Sequence, residues 1–127
     1  MYLFDTQALI WYFDGNPALP DSISKIISET QNIVMVSRAS FWELSIKISI
    51  GKLRLSLELG QIMESCEKAG FGILGIENEH ILQLKNLEHH HRDPFDRMLI
   101  SQCLAEDMNI ISSDQAFDFY PIQRIWS

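Results

Sequence analysis

Short apolar runs alternate with longer amphipathic ones along the whole chain. Tyr2-Leu3-Phe4, Ile33-Val34-Met35-Val36, Phe71 to Ile76 and Asn109-Ile110-Ile111-Ser112 read as strands. Ile122 to Ile125 reads as a further, edge strand, with Pro121 at its start, where proline is tolerated. The run ending at Val36 is continuously apolar, as expected of a parallel strand covered on both faces. Between the strands, helical patterns occupy Ala8 to Phe13, Pro20 or Asp21 to about Thr30, Arg38 to Ser49 and Leu57 to Lys68. Two more follow, from Asn78 to Asn86 and from Asp93-Pro94 to Glu106. Asp14-Gly15-Asn16-Pro17, Gly51 and Gly70 punctuate them. Strands alternating with helices predict an α/β fold, a three-layer α/β/α arrangement around a parallel sheet. No repeat, low-complexity segment or linker interrupts it, so one domain is expected over residues 1–127.

The stretch Arg92-Asp93-Pro94-Phe95-Asp96-Arg97 has the chemistry of a helix start. Asp93 suits the N-cap, and Pro94 suits the first helical position, where its missing N–H costs nothing. Asp96 falls at the third position, near the positive end of the helix dipole. A cap explains its place but not its direction. At about 100° per residue, Phe95, Leu99, Ile100 and Cys103 share one face, and Asp96 projects from its middle. A carboxylate aimed into an apolar face is costly unless a positive or hydrogen-bonding group meets it.

Composition narrows the classes. At 127 residues and 46% hydrophobic, the chain can bury a real core and is not a disordered segment. No apolar run reaches the ~18 residues of a membrane span, so no membrane association is expected. The first residues lack a basic segment and contain Asp5, so no signal peptide is expected. Cys66 and Cys103 are isolated, without metal spacing, and are expected to be reduced thiols in a cytoplasmic protein. The net charge of −7 argues against a protein that coats nucleic acid through basic residues. It leaves open an enzyme that meets a phosphodiester through metal ions.

In parallel sheets, ligand sites gather at the carboxyl ends of strands, near the point where strand order reverses. Asp5 and Asp114 stand at predicted strand ends, and Glu43 and Asp96 lie on helices beginning at the same rim. Converging carboxylates cannot all stay ionised unless a cation neutralises them. Oxygen-only ligands select Mg²⁺ or Mn²⁺. Such a site can polarise a phosphoryl oxygen, generate a hydroxide nucleophile and stabilise the leaving oxygen, the chemistry of phosphodiester hydrolysis. Each acid also has a purely structural explanation. Asp5 can cap the helix after the first strand, Asp114 can cap the turn before Gln115-Ala116-Phe117, and Glu43 can pair with Lys47 four residues on. Asp93 is assigned to capping. His89-His90-His91 reads as a solvated loop, because consecutive histidines do not point at one centre. Trp11, Trp42 and Trp126 read as core. Lys47, Lys52, Arg54, Arg92 and Arg97 form either a modest basic rim or ordinary surface, with Arg97 also free to pair with a partner's acid.

Four segments in order give the chain a resemblance to PIN-domain ribonucleases, specifically VapC-type toxins of toxin–antitoxin modules. They are Leu3 to Trp11; Val36 to Leu44, with Lys47 and Gly51-Lys52-Leu53; His91 to Ile100; and Ser113-Asp114. The resemblance implies a five-stranded parallel sheet between helices, and Asp5, Glu43, Asp96 and Asp114 as ligands for Mg²⁺ or Mn²⁺. It implies Thr6 and Ser113 as nearby hydroxyls that orient ligands or waters. It further implies RNA cleavage, a homodimer and inhibition by a cognate antitoxin, with Lys47, Arg92 and Arg97 as contacts for RNA or antitoxin. Gln7 departs from the His common there in close relatives.

Other activities built on an aspartate after the first strand fit poorly. A haloacid-dehalogenase-type phosphatase needs a second aspartate where Gln7 stands, and a response-regulator receiver needs a phospho-acceptor where Gly75-Ile76 stand. The remaining rival is a non-catalytic interaction module on the same fold, acting through a protein partner. Its acid set would be free to decay, whereas here it is intact.

Overall fold

The computed structural model describes residues 1–127. Five strands, β1 (Tyr2–Phe4), β2 (Val34–Ser37), β3 (Gly72–Leu74), β4 (Asn109–Ile111) and β5 (Arg124–Ile125), form one sheet. The order is β3-β2-β1-β4-β5, and every pairing is parallel. Six α-helices connect them: α1 (Thr6–Asp14), α2 (Asp21–Ser28), α3 (Arg38–Ser49), α4 (Leu59–Lys68), α5 (Asn78–Lys85) and α6 (Pro94–Glu106). A short 3₁₀ helix, Gln115–Phe119, lies between β4 and β5.

Side chains alternate across the sheet and build two cores. Phe4, Val34, Val36 and Ile111 face a cluster with Ala8 and Leu9 of α1, Ile23 of α2 and Ile62 of α4. Their strand neighbours Leu3 and Ile110 face the opposite cluster, with Leu99, Ile100 and Cys103 of α6. Helix α3 serves both, giving Phe41 to the first and Ala39 to the second. This is the predicted α/β architecture. Cys66 and Cys103 are free and buried, and burial pushes their thiols up to about 11 and about 12.

Element ends differ from expectation where side chains or turns intervene. Helix α4 starts at Leu59 because Glu58 and Gln61 form a reciprocal cap, with the Glu58 N–H donating to Gln61 Oε1 at 3.0 Å. Phe71 is excluded from β3 because its N–H closes α4 on the Cys66 carbonyl at 3.0 Å. Ile122 is excluded from β5 because its N–H turns back to the Tyr120 carbonyl at 2.8 Å. Helix α1 ends at Gly15, whose φ of 63° suits glycine.

The sheet order places the topological switch between β1 and β4. Chain progress runs outward through β2 and β3 on one side and through β4 and β5 on the other. Asp5 and the Ser112–Asp114 turn follow these two central strands directly, and the Asp5 N–H donates to the Ile111 carbonyl at 3.0 Å.

Leu99 of α6 is fully buried in the second core cluster. Leu99→Ala should lower unfolding free energy by about 2–5 kcal/mol in urea titrations. A loss under about 1 kcal/mol would mean that the helix is not anchored through this face.

Candidate functional site

At the carboxyl edge of β1 and β4 lies a cleft of about 540 Å³. Asp5, Glu43, Asp96 and Asp114 all line it, together with Asp93 and Lys52. A larger groove of about 660 Å³, between the end of α3 and residues 51–61, mixes aliphatic side chains such as Ile48, Leu53 and Leu57 with polar ones such as Ser45 and Gln61. The chemistry is concentrated in the first.

Asp5 is the N-cap of α1, as its position after β1 allowed. Its Oδ1 accepts from the Ala8 N–H at 2.7 Å, and its Oδ2 accepts a hydrogen bond from Ser112 Oγ. The same Ser112 hydroxyl accepts from the Asp114 N–H at 2.9 Å, so one buried serine ties the two strand ends together. Ser113, expected as a nearby hydroxyl, also lines the cleft and is exposed, whereas no sequence signal marked Ser112. Ser112, one residue past β4, is the fully buried one of the two. Asp114 is the N-cap of the 3₁₀ helix, its Oδ1 accepting from the Ala116 N–H at 2.9 Å.

Glu43 projects from the first half of α3 and is buried, with both oxygens engaged. Oε1 accepts from Thr6 Oγ1 at 2.7 Å, and Oε2 accepts from Lys47 Nζ at 2.6 Å. Thr6 Oγ1 also lies 3.0 Å from Ser40 Oγ. The i,i+4 ion pair and the site position are therefore both present. The Glu43 contact also raises the Lys47 ammonium above its ordinary value.

Asp93 caps α6, with its Oδ1 accepting from the N–H groups of Phe95 and Asp96 at 2.8 and 3.0 Å. Asp96 is left to point into the cleft without a capping bond. What waits for it is His91, whose Nε2 lies 3.1 Å from Asp96 Oδ2 and 3.5 Å from Asp114 Oδ2. His89 and His90 are exposed, as expected of a loop, but His91 folds back against the helix start. Its Nδ1 accepts from the Asp93 N–H at 3.2 Å, an arrangement with no signature in the sequence.

Arg97 departs from the expected rim. Its side chain is buried, donating from Nη1 to the Glu88 carbonyl at 2.8 Å and from Nη2 to the Leu87 carbonyl at 3.2 Å. At N4 it lies one residue beyond Asp96 and turns toward the loop carbonyls, so it is unavailable to RNA or a partner's acid. Arg92 is exposed, and Lys47 is close to half exposed. Among the tryptophans expected in the core, Trp42 is 59% exposed, with its ring edge-on to Phe95 at 5.1 Å. Trp11 and Trp126 are partly buried and pack on each other at 5.7 Å.

The acids are electrostatically frustrated. Burial pushes the Asp5 carboxyl up to about 6, with Asp114 and Glu43 adding to the rise against the lowering bonds from Ser112 and Ala8. Burial pushes Asp96 up to about 8, reinforced by the carboxylates of Asp93, Asp5, Glu43 and Asp114. A divalent cation among these oxygens removes the repulsion, so the donor set fits a hard, oxygen-preferring metal. His91, Asp96 and Asp114 each present a ligand-type atom, all within 4.8 Å of one another.

A PIN-domain family model matches residues 2–122. The chain belongs to the PIN-domain family. PIN domains as a class are nucleases that work with divalent metals. Among solved structures, this PIN chain is similar to VapBC2 from Rickettsia felis bound to a DNA fragment from their promoter. The identity is 14% and the TM-score 0.73, over 99% of this chain and 98% of that one. FitAcB from Neisseria gonorrhoeae is similar at 14% identity and TM-score 0.69, over 98% of this chain and 96% of that one. FitAB bound to an IR36 DNA fragment follows at 15% identity and TM-score 0.66, covering 98% and 94%. At these identities the likeness concerns the fold. No curated protein matches the chain.

The raised carboxyls give the PIN chain a testable pH dependence. Asp96 holds its proton up to about 8 when folded, against an ordinary value of 3.8. Between those values the metal-free folded state binds more protons than the unfolded one, so stability falls as pH rises. Chelator-treated protein should melt lower at about pH 8 than at about pH 5, and Asp96→Asn should flatten that slope. An unchanged slope in the variant would remove Asp96 as its source.

Proposed function

We propose that this PIN-domain chain is a Mg²⁺- or Mn²⁺-dependent endoribonuclease of the VapC toxin type, restrained by a cognate antitoxin. The observation that supports it most is Asp96. Its carboxyl is uncapped, aimed into the cleft and pushed up to about 8 by burial and four neighbouring acids. Such a group is poorly placed as structure and well placed as a cation ligand.

Asp5, Asp96 and Asp114 would hold the metal, with Glu43 completing the acidic wall. When bound, the cation supplies Lewis-acid polarisation of a phosphoryl oxygen and lowers the pKa of water near it. The protein residues do the positioning. Caps on Asp5 and Asp114 fix their carboxylates, and Thr6 and Lys47 fix Glu43 from two sides. Lys52 on the cleft wall offers a cation to the phosphates of an RNA strand, and exposed Arg92, one residue before cleft-lining Asp93, is free to add another. These charges are few, which fits a cleaving enzyme better than a coating protein.

The antitoxin partnership is supported by the fold neighbours, whose described complexes join two protein components with DNA. It is also supported by an exposed apolar stripe along α3 and its C-cap, where Trp42, Ile46 and Ile50 recur at helical spacing. The stripe equally suits the expected homodimer. A non-catalytic module would use this stripe and leave the acidic cleft idle. No helix of the chain is long and apolar enough to cross a membrane.

Purified antitoxin-free protein with Mn²⁺ should cleave RNA, and Asp5→Asn and Asp96→Asn should each lower the rate by at least ~100-fold. Undiminished cleavage in both variants would overturn the site. Failure to cleave any cellular RNA would favour the interaction module.

A further inference from the structure

His91 is the polar side chain at the site that the acidic constellation does not account for. Its loop is held by Tyr120 and Arg97, and its ring by Phe117. The Tyr120 hydroxyl accepts from the N–H groups of His90 and His91 at 3.0 and 2.8 Å and donates to the Glu88 carbonyl at 2.8 Å. Buried Arg97 grips the Glu88 and Leu87 carbonyls of the same loop. Phe117 packs against the imidazole, with ring centres 5.9 Å apart.

The remaining contact sets the ring's chemistry. The Asp93 N–H donates to His91 Nδ1 at 3.2 Å, and a ring nitrogen that accepts carries no proton. The hydrogen-bond network thereby assigns the imidazole proton to Nε2. Nε2 is buried and has no aligned hydrogen-bond partner, yet Asp96 Oδ2 and Asp114 Oδ2 are within reach at 3.1 and 3.5 Å. His91 does not line the cleft, so this N–H approaches the two carboxylates from behind.

We propose that His91 is a positioning residue, an N–H donor spanning Asp96 on α6 and Asp114 after β4 that holds both carboxylates in place, leaving Asp96 Oδ1 and the second lone pairs of the Asp114 oxygens for the cation. The proposal rests on the metal-site reading above. It differs from the simplest view of three converging ligand atoms, in which His91 binds the metal itself. A ligating Nε2 needs a free lone pair and therefore a proton on Nδ1, which here faces a donor rather than an acceptor. Asp114 gains most from the arrangement, because its side chain is 47% exposed and sits on a turn with one capping bond.

Removing such an outer partner typically weakens metal binding by about 10- to 100-fold. Mn²⁺ titration of the full chain, followed by electron paramagnetic resonance, should show that loss in His91→Ala. Gln presents an N–H near the Nε2 position, so His91→Gln should recover affinity to within about threefold of wild type. Thermal melts of both variants establish that they are folded. Long-range ¹H–¹⁵N spectra of the metal-free imidazole should show the Nε2–H form. Equal Mn²⁺ affinity in wild type and His91→Ala would overturn this proposal alone. So would an Nδ1–H tautomer, a His91→Gln variant as weak as His91→Ala, or ¹⁴N coupling from an imidazole bound directly to Mn²⁺. Wild-type protein that binds no Mn²⁺ would overturn the metal-site reading and this proposal with it.

Discussion

Several carboxylates meet at the carboxyl edge of a parallel sheet, in a place too buried for all of them to hold charge unaided. That repulsion organises the structure around it. The order β3-β2-β1-β4-β5 leaves a gap where the chain turns to opposite sides after β1 and β4, and Asp5 and Asp114 stand on its two lips. Helices α3 and α6 begin at the same rim and bring Glu43 and Asp96 to it. Burial of the flanking apolar layers is what fixes these four groups closely enough to repel one another.

Capping and chemistry are carried by the same side chains here. Asp5 and Asp114 each give Oδ1 to a backbone N–H of the helix they start and turn Oδ2 to a side chain, Ser112 for Asp5 and His91 for Asp114. Asp93 gives Oδ1 to two N–H groups and thereby frees Asp96 from that duty. The choice between structural and functional readings of these acids was therefore not exclusive. A cap also holds its carboxylate in a defined direction, which a metal ligand requires.

Much of this was legible along the chain. Strand and helix alternation was sufficient for the parallel sheet, and the spans of β1 and α3 coincide with the apolar run at Tyr2–Phe4 and the Arg38–Ser49 pattern. Asp96 was exposed as anomalous by its angle on the helix. What stayed hidden depends on contacts far apart in sequence. Ser112 reaches Asp5 across 107 positions, so no local pattern could announce it. Arg97 looked like a surface cation because nothing nearby in the sequence marks the Leu87 and Glu88 carbonyls as its partners. His91 looked like one of three equivalent loop histidines until Tyr120, some thirty positions away, was seen to hold the loop.

The proposed function requires these acids to form one cation site rather than a set of independent caps. Crystals soaked in Mn²⁺ and measured for anomalous scattering test it directly. An anomalous peak is expected in the cleft, bonded to oxygens of Asp5 and Asp96 or Asp114. Fully ordered side chains in the cleft with no anomalous peak among them would contradict it.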